Sequence, residues 1–204
     1  MDTDRPSHLR FWLTTQTFGM LFFLVMGVLG MLVEANDAGC MYVTPAFFIV
    51  LTIVYPAARL RRFGAATAVF LLYLTAGSYI EYQMQWVAER QLASPWGALA
   101  WGLLGVLVGL VADVTFRYLP AGLAAGWRGA ITGALTGLAL FLTTYVAMTT
   151  LYASPASQQT HFVFFSSRAV FSLPWMLLNG AFGGYCAMAL AAGFGRRARA
   201  AMAT

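Results

Sequence analysis

Six apolar stretches of similar length, very little charge between them and a one-sided distribution of arginine predict an all-α integral membrane protein. The expected architecture is a six-transmembrane-helix bundle with both termini inside. The stretches are 11–33, 41–58, 64–82, 96–116, 129–151 and 170–194. Each is close to the ~20 residues that cross a ~30 Å hydrocarbon core at ~1.5 Å per residue. Of 204 residues, 60% are hydrophobic and 9% charged, where a soluble globule carries about 25% charge. The spans and their short connections use nearly the whole length. Residues 1–204 therefore read as a single transmembrane domain, with no soluble catalytic or nucleotide-binding domain.

The basic residues set the orientation. All 12 are arginine. Threading the spans with the N-terminus inside places Arg5, Arg10, Arg59, Arg61, Arg62, Arg117, Arg128, Arg196, Arg197 and Arg199 in the cytoplasm, and only Arg90 and Arg168 outside. The reverse topology inverts that count, so the positive-inside rule selects N-in, C-in. The net charge of +5 then reports topology and contact with anionic lipid headgroups, not nucleic-acid binding. Absence of lysine with abundant Ala, Gly and Arg suggests a GC-rich bacterial genome, so the expected location is a bacterial inner membrane, crossed several times. The first stretch begins after about ten residues and has no small-residue cleavage site behind it. It is expected to be retained as a span and not removed as a signal peptide.

Taken in order, each stretch carries a few informative residues. Gln16 sits in the cytoplasmic half of the first and reads as interhelical glue. A very short inner connection, 59–63, joins the second to the third. In the third, Ser78, Glu81, Tyr82 and Gln85 follow i, i+3, i+4, i+7 and share a face at its outer end. A carboxylate beside a phenol and an amide suits a small cationic or amine-bearing ligand with aromatic support; a helix end whose Glu81 meets water is the alternative. The fourth carries Gly105 and Gly109 on one face, and Asp113 four residues before Arg117, a spacing at which the two satisfy each other. Pro120 and Gly122 break the chain in the inner connection 117–128. In the fifth, Gly129, Gly133 and Gly137 recur every four residues. Gly180, Gly183, Gly184, Ala187 and Ala191 make a similar surface on the sixth. Such stripes let backbones approach closely, either to compact the monomer or to dock another subunit. Asn179 lies deeper in the sixth, facing a ligand or a neighbouring helix.

The outer connections are longer than the inner ones and richer in Gln, His, Glu and aromatics. This asymmetry points to an outward-facing site; the other reading is an aromatic belt formed by Trp86, Trp96, Phe162, Phe164 and Phe165. Arg168 breaks the positive-inside pattern within an aromatic run. It calls for a carboxylate partner among Glu34, Asp37 and Glu81, or an anionic group on a substrate. His161 stands beside Gln158 and Gln159 and is placed to reach an outer cavity. The candidate ligand-binding set is thus Glu81, Tyr82, Gln85, Trp86, His161, Arg168 and Asn179. Cys40, in the first outer loop, and Cys186, inside the sixth span, differ too much in depth to form a disulfide.

Chemistry that makes or breaks bonds finds no support. There is no Ser/His/Asp set, no HExxH, no phosphate-cradling glycine loop, and the two histidines, His8 and His161, fall on opposite sides. No enzymatic activity, metal or cofactor is expected.

Three short segments carry a family resemblance. They are Arg62-Phe63-Gly64-Ala65-Ala66 opening the third stretch, Ser94-Pro95-Trp96-Gly97 opening the fourth, and Gly109-Leu110-Val111-Ala112-Asp113 with the following Val114-Thr115-Phe116-Arg117-Tyr118. With about 200 residues, six spans and an outward polar face, the chain resembles the substrate-binding S components of energy-coupling factor (ECF) transporters. Within them it is most similar to the thiamine and hydroxymethylpyrimidine group, which carries Gly-x-x-Ala-Glu followed by an aromatic. The likeness lies mainly in residues 60–140. Two features depart from the family: the first helix has no Ala-x-x-x-Ala, and the segment from Gly64 to Pro95 is longer than the usual spacing. The resemblance implies a vitamin-binding subunit working with a transmembrane coupling protein and two cytoplasmic ATPases.

The expected function is therefore a substrate-binding membrane subunit of an uptake transporter for a small vitamin-like or amine-bearing metabolite. In that reading Arg59, Arg61, Arg62 and the Gly/Ala helix faces meet the coupling subunits. The alternative is a non-catalytic structural or accessory subunit of a larger membrane complex. A third reading, a small ion-coupled carrier, needs Asp113 to face a cavity.

Overall fold

The computed structural model describes residues 7–36, 45–72, 74, 95–120, 122–150 and 173–193. Among these the chain is all-helical. The helices are α1 (His8–Asn36), α2 (Pro45–Leu60), α3 (Ala65–Leu72), α4 (Pro95–Tyr118), α5 (Ala125–Thr150) and α6 (Leu173–Gly193). The helix α6, with 21 residues and a mean hydropathy of 1.3, is long and apolar enough to cross a membrane.

Local chemistry fixes the ends. Ser7 caps α1: its hydroxyl accepts the Arg10 N–H at 3.3 Å and its carbonyl accepts the Phe11 N–H at 3.0 Å, which satisfies donors the first turn leaves open. The helix α2 carries Pro56 in its interior, which has no N–H to give to the carbonyl of Thr52. It stops where Arg61 turns left-handed at φ 48° and donates its N–H to the Ala57 carbonyl at 2.9 Å, a closure that usually falls to glycine. Gly64 follows at φ 89° and lets α3 start at once.

These two positions give opposite expectations. A Cβ on Gly64 would meet nothing within 4 Å, so Gly64→Ala costs conformational strain alone, roughly 1–2 kcal/mol. Arg61→Gly relieves the same strain and should leave the melting temperature unchanged or raise it. Thermal denaturation of both variants reads the difference, and an equal loss in the two would sink the account.

The boundaries differ in places from those the hydropathy predicts. The fifth stretch, expected from 129, is helical from Ala125, so Arg128 sits in its first turn and not in a loop. Likewise α4 runs on to Tyr118 and takes in Arg117, and α2 runs to Leu60 and takes in Arg59. What remains of the inner connection is a turn in which the Leu123 N–H donates to the Pro120 carbonyl at 3.2 Å, where Pro120 and Gly122 predict a break. Of the third stretch, Ala65–Leu72 is described as helix; most of its outer half lies outside the described residues.

Packing is organised around α2, which touches α1, α3, α4 and α5. The main apolar cluster joins Phe11 and Phe22 of α1, Ile49 and Ile53 of α2, Val69 and Phe70 of α3, and Val108 and Ala112 of α4. The Phe22 and Phe70 rings meet edge to face at 4.9 Å. A second cluster ties Ala46, Phe141 and Met176, and a third ties Val50, Val54 and Ala187, so α6 lies against α5 and α2.

Glycine sets how closely the helices approach. A methyl on Gly105 would lie 2.6 Å from Phe70 Cδ1, and one on Gly109 would lie 2.7 Å from the Thr67 Cα. Across α5 and α6, Gly129, Gly133 and Gly137 face Gly184, Gly180 and the Met176 carbonyl, backbone against backbone. Gly183 faces Phe47 of α2. Of the two readings of these stripes, contact within the monomer is the one seen.

Candidate functional site

The contacts bring one end of the bundle into focus. The starts of α1, α3 and α5 meet the ends of α2 and α4 there, and α6 runs antiparallel to α5 so that its C-terminal half joins them. Every arginine among the described residues lies at this end: Arg10, Arg59, Arg61, Arg62, Arg117 and Arg128.

Asp113 is the most highly organised polar group at this end. It is 2% exposed. Its Oδ1 accepts the Ala66 N–H at 3.1 Å, while its Oδ2 accepts the Thr67 N–H at 2.8 Å and the Thr67 hydroxyl at 2.7 Å. A side chain of α4 thus caps the first turn of α3, where amide donors have no partner in their own helix and the helix dipole favours an anion. The i, i+4 pairing with Arg117 that the sequence predicts is not what holds it: Arg117 lies over the Phe63 ring at 5.9 Å. The ion-coupled carrier needs a carboxylate free to face a cavity, and Asp113 has both oxygens engaged by α3.

Two further ties close the same end. Gln16 Nε2 donates to the Ala68 carbonyl at 3.1 Å, the interhelical bond the sequence predicts for it. Arg128 donates to the Phe116 carbonyl at 3.0 Å and lies 5.0 Å from the Phe116 ring. It thereby supplies a cation and a donor to the C-terminus of α4. Arg62 lies 4.6 Å from the Phe11 ring. Arg62, Arg117 and Arg128 thus each keep an aromatic under the guanidinium, an arrangement suited to a polar–apolar boundary.

The predicted ligand-binding residues fare differently. Glu81, Tyr82, Gln85, Trp86, His161 and Arg168 lie outside the described residues, as do Asp37 and Cys40. Asn179 is described: it is half-buried on α6 and its Nδ2 donates to the Trp175 carbonyl, one turn earlier, at 2.9 Å. That bond stays within the helix and does not cross to a neighbour. Cys186 is half-buried on the same helix.

Sequence reasoning did not foresee the capping role of Asp113. The available signal was the Gly64-Ala65-Ala66-Thr67 helix start, which offers no side-chain acceptor of its own in its first turn except the Thr67 hydroxyl. Among the described residues, fold and site together define a helical bundle with one cationic, tightly tied end. No protein-family model, curated protein or solved structure matches this chain.

Proposed function

We propose that the chain is a multi-pass membrane protein of six helices with the arginine-bearing end in the cytoplasm. In this reading it serves as the substrate-binding membrane subunit of an uptake transporter for a small vitamin-like or amine-bearing metabolite. The observation that carries the proposal is the gathering of every described arginine at one end of a bundle whose long helices expose large apolar side chains. That end is closed by Asp113, Gln16 and Arg128, so in this reading the solute site belongs to the side that the sequence assigns to Glu81, Tyr82, Gln85, Trp86, His161 and Arg168.

The outer surface supports a lipid environment. Leu13, Met20 and Leu24 on α1, Leu103, Leu107 and Leu110 on α4, Leu142 on α5, and Leu178, Phe182 and Leu190 on α6 are all exposed. A water-soluble monomer does not present large apolar side chains all round its long helices. Tyr118 and Trp127, both exposed at the arginine end, suit a membrane interface. The resemblance to energy-coupling factor S components supplies the transport mechanism: capture from outside, then reorientation driven by a transmembrane coupling protein and cytoplasmic ATPases. The coupling surface falls to Arg59, Arg61 and Arg62, because the glycine faces of α4, α5 and α6 are already occupied within the chain. That occupancy also weakens the accessory-subunit reading, which leaned on those stripes.

Native mass spectrometry of the protein purified in mild detergent tests the proposal. A retained small molecule of defined mass is expected; a ligand-free protein in a stoichiometric complex with another membrane subunit would replace it with the accessory reading. Within a pocket, losing a charge-assisted contact costs about 1.5–3 kcal/mol, roughly ten- to hundred-fold in affinity. Glu81→Gln should weaken binding of the retained molecule by that factor. Unchanged affinity by isothermal titration removes Glu81 from the ligand set.

A further inference from the structure

The cationic end also carries a concave surface between α1 and α2. A cleft of about 370 Å³ opens there, near the lower bound of small-molecule sites, roughly 300–1,000 Å³. From α1 it is lined by Arg10, Thr14 and Thr17, spaced i, i+4, i+7 on one helical face. From α2 come Tyr55 and Arg59, spaced i, i+4. Phe18 stacks on Tyr55 at 4.7 Å and 22°, a contact that holds the two helices in register beneath the polar groups.

The chemistry of this lining is one-sided. Among the described residues, two guanidiniums and three hydroxyls line the cleft and no carboxylate does. Thr17 gives its hydroxyl hydrogen to the Leu13 carbonyl at 2.7 Å. The donors left to a ligand are therefore Arg10, Arg59, Thr14 and the Tyr55 phenol. Arg59 also stands in the last turn of α2, where a cation complements the helix dipole. Arginine forks match tetrahedral oxyanions in a bidentate geometry that a neutral solute does not exploit.

What lies above the cleft narrows the ligand. The α1 face that carries Arg10, Thr14 and Thr17 continues as Leu21 and Leu24, both exposed, with Leu13 exposed at the rim; Phe48, two turns before Tyr55 on α2, is exposed as well. A polar, cationic cleft thus runs into an exposed apolar track along the same helices. The geometry points to a binding site for a phosphate group, carried by an anionic phospholipid whose headgroup enters between Arg10 and Arg59 and whose chains follow that track. The same oxyanion chemistry is offered by free phosphate. The site rests on the membrane reading above and not on whether Glu81 binds a solute.

The test uses the full-length protein in a neutral detergent, its melting temperature followed as phosphatidylglycerol or inorganic phosphate is titrated in. The expected result is a rise with phosphatidylglycerol and none with inorganic phosphate. In the Arg10→Gln/Arg59→Gln variant the half-saturating lipid concentration should increase at least about tenfold. The Arg61→Gln/Arg62→Gln variant removes the same charge outside the cleft and should respond as the parent does. A rise with inorganic phosphate that the Arg10→Gln/Arg59→Gln variant loses keeps the oxyanion site and overturns the lipid as its source. No rise with either, or equal weakening in the two double variants, overturns the site. Should the Arg10→Gln/Arg59→Gln variant fail to elute as a single species, Arg59→Gln alone is measured against Arg61→Gln by the same criterion.

Discussion

Replacing Gly133 by leucine is expected to separate α5 from α6 and to abolish a monodisperse, folded species in detergent. At Gly133 even a methyl group would collide with the Gly180 carbonyl and the Gly184 backbone. Neither can yield as a flexible side chain would, because both belong to a helix. Overpacking usually costs about 1–3 kcal/mol, so Gly133→Ala should lower the melting temperature by several degrees at about 2–4 °C per kcal/mol. The leucine variant should exceed that range because the two helices must part along their whole contact. In a lipid environment they gain no hydrophobic drive to rejoin, since acyl chains are as apolar as leucine, and close backbone packing is the main attraction lost. Gly122→Ala is the internal control, because a Cβ there meets nothing within 4 Å. Size-exclusion chromatography with thermal denaturation reads all three. A Gly133→Leu protein that elutes and melts like the parent would mean that α5 and α6 are not in contact as described.

The second large effect is expected at Asp113. Three hydrogen bonds to a carboxylate, at about 1.5–3 kcal/mol each, total roughly 4.5–9 kcal/mol. Burying a carboxylate is costly unless its oxygens are hydrogen-bonded. The three bonds offset that cost, which is why a buried carboxylate is tolerated here. Asp113→Ala leaves the Ala66 and Thr67 N–H groups without an acceptor, at about 1–3 kcal/mol each, and unties α3 from α4. Asp113→Asn keeps one acceptor oxygen but turns an amide N–H₂ toward donors, so it should fall between the alanine variant and the parent. Thr67→Val removes only the hydroxyl bond and should cost about 1 kcal/mol. The order parent, Thr67→Val, Asp113→Asn, Asp113→Ala in melting temperature is the prediction. An Asp113→Asn protein as stable as the parent would show that the charge contributes nothing to the cap.

How much of this was legible in the chain depends on whether the signal is local. The helical stretches were, because a run such as Trp101–Val111 is apolar at every position except its glycines. The spacing of Gly129, Gly133 and Gly137 announced a close approach of helices but not the partner; only the contact with Gly180 and Gly184, some fifty residues on, decided that it lies within the chain. The helix ends were missed by two residues at Arg59 and Arg117 and by four at Arg128. Hydropathy treats a charge as a terminator, whereas an arginine can stay helical while its guanidinium reaches a carbonyl or a ring. Asp113 shows the same limit more sharply. Its neighbour in sequence, Arg117, offered a plausible partner four residues away, and the true partners lie on another helix. Of the outward ligand set, Asn179 alone falls within the described residues, and its amide is engaged within its own helix.

By itself, then, the sequence determined that this protein is helical, where its apolar runs lie and which connections carry arginine, because these follow from composition and from periods of a few residues. Tertiary structure decided which glycine stripe meets which, which backbone amides Asp113 satisfies, and that Arg10 and Arg59 share one cleft. Those outcomes depend on the relative rotation and depth of helices distant in the chain, and no local pattern encodes rotation and depth.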